Sequence, residues 1–167
     1  MPFANTYKGN DIKGEDMTEK ELIKEAYLAQ ELFYAPYSNF NVGAALLTRS
    51  GKVYRGCNIE NVAFSPTNCA ERTAFFKAIS EGEKEFIMIA IVGNHKEDKE
   101  EEKDFCPPCG VCRQVMVEFC NPKEFKVILA KSENQYKIYR LEDLLPLSFV
   151  SAGGAGARHH EQTMDKL

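Results

Sequence analysis

Apolar positions recur at helical spacing through Leu22, Ala26, Ala29 and Phe33, with Ile23 and Tyr27 alongside, and this run opens on Thr18-Glu19-Lys20-Glu21. A threonine three residues ahead of a glutamate can satisfy two orphan N–H groups of a helix start reciprocally. A helix is therefore predicted over about 18–34, halted ahead of Pro36. The pattern then changes to a short apolar run rich in small residues, Val42 to Thr48, which Ser50-Gly51 separates from Lys52 to Asn58. Two strands joined as a hairpin fit that pattern, and Gly43-Ala44-Ala45 implies that something packs closely there. Helical spacing returns at about 69–81, with Ala70, Ala74, Phe75 and Ala78 on one face and an end near Gly82, followed by a buried strand from Phe86 to Val92. A second cysteine-headed helix is predicted over about 109–120, between Pro107-Pro108 and Pro122. Strands at Phe125–Ala130 and Tyr136–Tyr139 and a short helical turn at Leu141–Leu145 complete the order. Helices alternating with strands in this way give a layered α/β domain with helices covering a mixed sheet.

Three stretches fall outside the pattern. Residues 1–17 are polar with scattered glycine and read as a loose leader ahead of a single domain at 18–150. From Asn94 to Asp104 the chain is almost wholly charged, with KEDKEEEKD at its centre, and reads as a solvated excursion. The glycine- and alanine-rich segment from 151 to 167 reads as a mobile tail, including His159-His160.

At 167 residues and 44% hydrophobic composition the chain can bury one core. Its net charge of −4 and sequence pI near 5.5 argue against a nucleic-acid partner, which a basic field would serve, and favour a small neutral substrate. No stretch approaches the roughly 18 to 20 apolar residues of a membrane span. The six cysteines are expected as reduced thiols in the cytoplasm, because a chain of this length does not need disulfide staples and opens on MPFANTYKGND with no charged and then apolar leader.

Those cysteines carry the chemistry. Cys69-Ala70-Glu71 and Pro108-Cys109-Gly110-Val111-Cys112 together supply three thiolates for zinc and a carboxylate beside it. Structural zinc sites close their tetrahedron with four protein ligands, whereas catalytic ones leave a position for water, so three ligands and an acid point to catalysis. Both motifs are expected at strand-to-helix junctions, where free N–H groups and the positive end of the helix dipole favour thiolate. Three thiolates on one Zn²⁺ leave a net charge of −1, which the two helix ends and Arg72 would offset. A closed structural site is the rival, since Cys106, Cys109 and Cys112 form C-x-x-C-x-x-C and Cys69 could complete four. An iron–sulfur reading fails at its next position, which is Met116. Cys57 and Cys120 read as buried packing thiols.

At these residues the sequence resembles the cytidine deaminase family, in its small homotetrameric, three-cysteine form. The resemblance extends through Tyr37-Ser38-Asn39-Phe40, Val42-Gly43-Ala44-Ala45, Cys57-Asn58-Ile59-Glu60-Asn61, Cys69 to Ala74 and Pro108 to Gln114, and covers about residues 18–149. It implies a three-layer α-β-α fold on a mixed five-stranded sheet, one Zn²⁺ per subunit on Cys69, Cys109 and Cys112, and hydrolytic deamination of free cytidine and deoxycytidine in pyrimidine salvage. Glu71 would shuttle protons, the Ala70 N–H would contact the base and Phe40 would pack on its ring. Asn58 and Glu60 would hold the ribose 3′-hydroxyl, where a carboxylate also repels a 3′-phosphate. Leu144-Leu145-Pro146 and Phe149 would mark a segment reaching a neighbouring subunit's pocket. Two features depart from the pattern: Phe64 stands where the family often has tyrosine, which removes a hydroxyl near the 5′ end of the sugar, and the excursion at 94–104 is longer than usual.

Overall fold

The computed structural model describes residues 16–150; the predicted tail and all of the leader except Asp16 and Met17 lie outside them. Helix α1 (Glu19–Gln30) starts on the predicted box, the Thr18 hydroxyl accepting from the Glu21 N–H while the Glu21 side chain accepts from the Thr18 N–H. It ends four residues short of the expected boundary, because Tyr34 is used elsewhere: its N–H donates to the Asn58 carbonyl and its carbonyl accepts from Glu60 N. Met17 is buried, so packing begins one residue ahead of the predicted boundary.

Strands β1 (Phe40–Thr48) and β2 (Val53–Cys57) form the expected antiparallel hairpin, followed by helix α2 (Ala70–Ser80) and strand β3 (Phe86–His95). After a single 3₁₀ turn at Glu100–Glu102 come helix α3 (Gly110–Phe119), strands β4 (Lys126–Ser132) and β5 (Gln135–Arg140), and the one-turn helix α4 (Leu141–Leu144). The sheet order is β2-β1-β3-β4-β5, antiparallel except for the parallel β3–β4 pair. β3 runs three residues past its predicted end, into the charged stretch, since β1 begins at Phe40 and pairs Phe40 with His95 and Asn41 with Asn94.

Alternation along the central strands divides the core into two layers. Leu22, Ile23 and Ala26 of α1 pack against Ala45, Leu47, Met88, Ala90 and Ile128 on one face. Phe75 and Ala78 of α2 and Met116 and Val117 of α3 pack against Ala44, Leu46, Ile89, Ile91 and Leu129 on the other. The result is the expected three-layer α-β-α arrangement on a mixed five-stranded sheet. Two glycines set the spacing of its layers. A Cβ at Gly43 would collide with the Ala26 carbonyl and with the Gln30 backbone, and one at Gly56 with the Ala70 carbonyl and, at 2.5 Å, the Ala74 nitrogen. The backbone of α2 therefore lies directly on β2, which fixes the depth at which its first turn meets the sheet.

The excursion is solvated as expected, none of residues 94–104 being buried, but its end is tethered. Lys103 lies over the Tyr27 ring at 5.9 Å, Asp104 pairs with Lys131 at 3.2 Å, and Phe105 is flanked by Lys131 and Lys137, 4.8 and 4.5 Å from its centroid. These contacts lead the chain back to the sheet just ahead of Cys106.

Candidate active site

Cys69 is the N-cap of α2 and Cys109 the N-cap of α3, with Cys112 in the first turn of α3. Both helix starts follow irregular segments rather than the strand ends expected from the sequence, but each still presents its free N–H groups to the thiols. The Cys112 N–H donates to the Cys109 Sγ at 3.4 Å, so one sulfur also performs the capping that a Ser or Asp hydroxyl or carboxylate would otherwise perform.

The three sulfurs lie within 4.8 Å of one another, with Cys69 and Cys109 3.9 Å apart and Cys109 and Cys112 3.3 Å apart. Tetrahedral Zn–S bonds of about 2.3 Å set sulfurs about 3.8 Å apart, so the trio fits zinc in donor type, with the Cys69–Cys109 spacing of 3.9 Å at the tetrahedral edge and the Cys109–Cys112 spacing of 3.3 Å shorter than it. Among the described residues this is the one group of three or more His, Cys, Asp or Glu side chains arranged to hold a metal. Cys106 does not join it. Its thiol packs against Gly93, where an added Cβ would lie 2.7 Å from the sulfur and 3.1 Å from the Phe40 ring, and burial pushes it up to about 12. Cys120 is buried as expected, whereas Cys57 is only partly so and donates to the Leu32 carbonyl at 3.2 Å.

Electrostatics around the trio favour ionisation at Cys69. Hydrogen bonding from the Cys112 thiol and from Arg72 lowers it to about 5, while Cys112, buried and donating, is held well up. Arg72 Nη2 reaches the Cys69 Sγ at 3.5 Å and the Thr67 carbonyl at 3.1 Å. Glu71, one residue along, is 5% exposed. Burial in the first turn of α2 pushes its carboxyl up to about 7.

A cleft of about 310 Å³ opens over this group, and its lining brings together almost every residue singled out from the sequence: Phe40, Asn58, Glu60, Cys69, Ala70, Glu71 and Cys109. The ends of β1 and β2 position the first three. Asn39 adopts a φ of 56°, a left-handed conformation that asparagine tolerates, and so closes the turn that delivers Phe40 to β1. The Asn58 side chain accepts from Val42 N at 2.9 Å and donates to the Phe40 carbonyl at 2.8 Å. Extended backbone then places Glu60 on the same side as Asn58, two residues on, held between Tyr34 and Asn68 by bridges at Ile59. Cys106, weighed from the sequence as a fourth ligand, lines the cleft as wall, and Ser38, Val42, Thr67, Asn68 and Pro107, to which the sequence assigned no role, line it too. Phe149, by contrast, lies 81% exposed outside this cleft, its carbonyl accepting from Gln114 at 2.8 Å. Phe64 is likewise exposed, and lines an adjoining cleft with Tyr37 and Glu60.

Two helix N-termini that gather three thiols within 4.8 Å of one another, with a buried carboxyl beside them, fit the zinc centre of a zinc-dependent hydrolase. Comparison with known proteins narrows the class. Residues 16–129 match the cytidine and deoxycytidylate deaminase zinc-binding region. The chain is 47% identical over 135 residues to a cytidine deaminase of Halalkalibacterium halodurans, covering 81% of this chain and 96% of that one. It is 46% identical over 133 residues to one of Sporosarcina psychrophila, covering 80% and 92%. Its fold superposes on the crystal structure of cytidine deaminase from Burkholderia pseudomallei with a TM-score of 0.71 at 45% identity, covering 80% of this chain and all of that one. The chain belongs to the cytidine and deoxycytidylate deaminase family.

Proposed function

We propose that the protein hydrolyses free cytidine and deoxycytidine to uridine and deoxyuridine with release of ammonia, a step of pyrimidine salvage. The observation that carries this reading is the meeting, in one cleft, of Cys69 and Cys109 from the three-sulfur group, the buried Glu71 and the pair Asn58 and Glu60. Cys69, Cys109 and Cys112 would hold Zn²⁺, which would supply Lewis-acid activation of water.

The remaining steps fall to this chain's own side chains. Glu71 takes one proton from the attacking water and passes it to N3 of the base, then takes the second from the hydroxyl now on C4 and delivers it to the departing amine, so that C4 ends as a carbonyl and the nitrogen leaves as ammonia. A carboxyl pushed by burial towards neutrality suits a group that must both accept and donate. The Ala70 N–H, at the start of α2, contacts the base, and Phe40 packs against its ring. Asn58 and Glu60 take the sugar 3′-hydroxyl, and the Glu60 carboxylate disfavours a 3′-phosphate, which excludes polymers and 3′-nucleotides. The motifs hold no dedicated reader of a 2′-hydroxyl, so both the ribo- and deoxyribonucleoside are accommodated. Arg72 tempers the charge of the thiolates.

The active form on this reading is a cytoplasmic homotetramer in which Phe149 reaches a neighbouring subunit's pocket. Its exposure, with Leu147 beside it also fully exposed, supports that use. No helix among the described residues is long and apolar enough to cross a membrane.

The test is incubation of zinc-loaded protein with cytidine, following the fall in cytosine absorbance together with ammonia release. Turnover is expected; its absence in fully loaded protein overturns the reading.

A further inference from the structure

The hydroxyl of Ser38 joins two parts of the cleft. It accepts a hydrogen bond from the Phe40 N–H at 3.0 Å and lies 2.5 Å from the Glu60 Oε1. A backbone N–H can only donate, so the serine oxygen is the acceptor there and its single proton is committed to the carboxylate. Glu60 Oε2 accepts in turn from the N–H groups of Tyr37, at 2.8 Å, and Ser38, at 3.2 Å. Three donors thus occupy three of the roughly four acceptor sites of an ionised carboxylate. The one left over is on Oε1, beside the Ser38 hydroxyl.

That arrangement also brackets Phe40. Its N–H is held by Ser38 and its carbonyl by the Asn58 amide at 2.8 Å. The aromatic wall and the two proposed sugar-binding residues are therefore tied to one another by hydrogen bonds. Ser38 is uncharged, and it lines both the main cleft and the adjoining one.

We propose that Ser38 is a positioning residue that fixes the Glu60 carboxylate with one acceptor site open, so that the site takes a single sugar hydroxyl and registers it against the ring wall at Phe40. The inference rests on the reading of Glu60 as the sugar-binding carboxylate given above. Without the serine hydroxyl, Oε1 has two open sites and loses its tie to Phe40, so the carboxylate can turn about its own bonds and solvate. The consequence falls on substrate binding and hydroxyl discrimination, since Glu71 and the sulfurs are untouched. Hydrogen bonding from the Ser38 hydroxyl is also the foremost cause that holds Glu60 below the usual carboxylate range, followed by the backbone donors of Tyr37 and Ser38 working against slight burial.

The experiment compares cytidine with 3′-deoxycytidine in zinc-loaded wild type, Ser38→Ala and Ser38→Thr. Wild type is expected to prefer cytidine by about tenfold or more in kcat/KM, the worth of a charge-assisted hydrogen bond. Ser38→Ala is expected to lose most of that preference through a raised KM for cytidine, with kcat within about twofold, and Ser38→Thr, which keeps the hydroxyl, to retain it. In addition, the rise in KM on acidification begins at higher pH in Ser38→Ala than in wild type, because the carboxylate there protonates more easily; a role in folding alone would not move that profile. If wild type itself fails to distinguish the two nucleosides, the sugar-binding reading of Glu60 fails. If wild type distinguishes them and Ser38→Ala does so equally, or Ser38→Thr behaves like Ser38→Ala, the role of Ser38 is overturned while the Glu60 reading stands.

Discussion

Arg72 sits one turn into α2 with its guanidinium folded back on the residue that caps the same helix: Nη2 lies 3.5 Å from the Cys69 sulfur. A cation at this point meets a sulfur whose ionisation it favours, and a second bond from the same nitrogen to the Thr67 carbonyl holds it in place. Removing the guanidinium leaves the thiolate charge compensated by helix ends alone. Arg72→Ala is expected to lower turnover of cytidine by about 10- to 100-fold, as for other groups that support metal ligands, with the zinc content by atomic absorption still near one ion per chain. Full activity in the zinc-loaded variant removes Arg72 from charge compensation.

The same helix start depends on Gly56. Because an added Cβ would meet backbone atoms of Ala70 and Ala74 rather than a flexible side-chain end, α2 itself must shift to accommodate it. Gly56→Ala is expected to cost about 1–3 kcal/mol and to weaken zinc retention against a chelator, since Cys69 and Glu71 move with the helix. Gly43→Ala makes the corresponding clash with α1, which bears no site residue, and is expected to lower the melting temperature while leaving zinc retention unchanged. Equal zinc loss in both variants would show that the metal merely tracks global stability.

The halves of this site were legible for different reasons. Cys69, Glu71, Cys109 and Cys112 announce themselves by residue type and by their position at helix starts, so each motif was legible from local rules, although the 3.9 Å approach of Cys69 and Cys109 depends on both helices packing on one face of the sheet. The length of β3 was not legible in that way, because it depends on the pairing of Phe40 with His95 across more than fifty residues. Tyr34 likewise left α1 to pair with the Asn58–Glu60 segment, a contact that no periodicity encodes. The charged excursion was read from composition as solvated, which its exposure bears out, but composition does not show that Lys103 and Asp104 at its end, and Phe105 just beyond it, find partners at Tyr27, Lys131 or Lys137, residues that are remote in sequence. Ser38 stood inside a recognised block without a role, since its hydroxyl acquires one only when the turn at Asn39 brings it to Glu60.

Burial of Glu71 has a signature in the metal-stripped protein. Its carboxyl is pushed up to about 7 from an ordinary 4.5, so the folded state holds that proton more tightly than the unfolded chain does. By linkage this group's contribution to stability is unfavourable above about 7 and disappears as pH falls towards the unfolded value. Glu71→Gln removes the titration. The melting temperature of the stripped variant, measured against stripped wild type, is expected to gain more at pH 8 than at pH 5; a difference independent of pH would mean that the carboxyl is not desolvated in the fold.

Cys106 separates a catalytic from a closed zinc centre. Its sulfur nests against Gly93 and lies outside the group formed by Cys69, Cys109 and Cys112. Cys106→Ala therefore is expected to keep one zinc per chain and an X-ray absorption edge unchanged in sulfur count. Cys109→Ala, which deletes a member of the trio and the cap of α3 together, is expected to lose the metal and all turnover. Because the Cys106 thiol shares the cleft wall with Phe40, its truncation also leaves a gap beside the ring, and a severalfold rise in KM for cytidine with little change in kcat is the expected kinetic result. Loss of zinc from Cys106→Ala would instead make it a fourth ligand, and the centre a structural one.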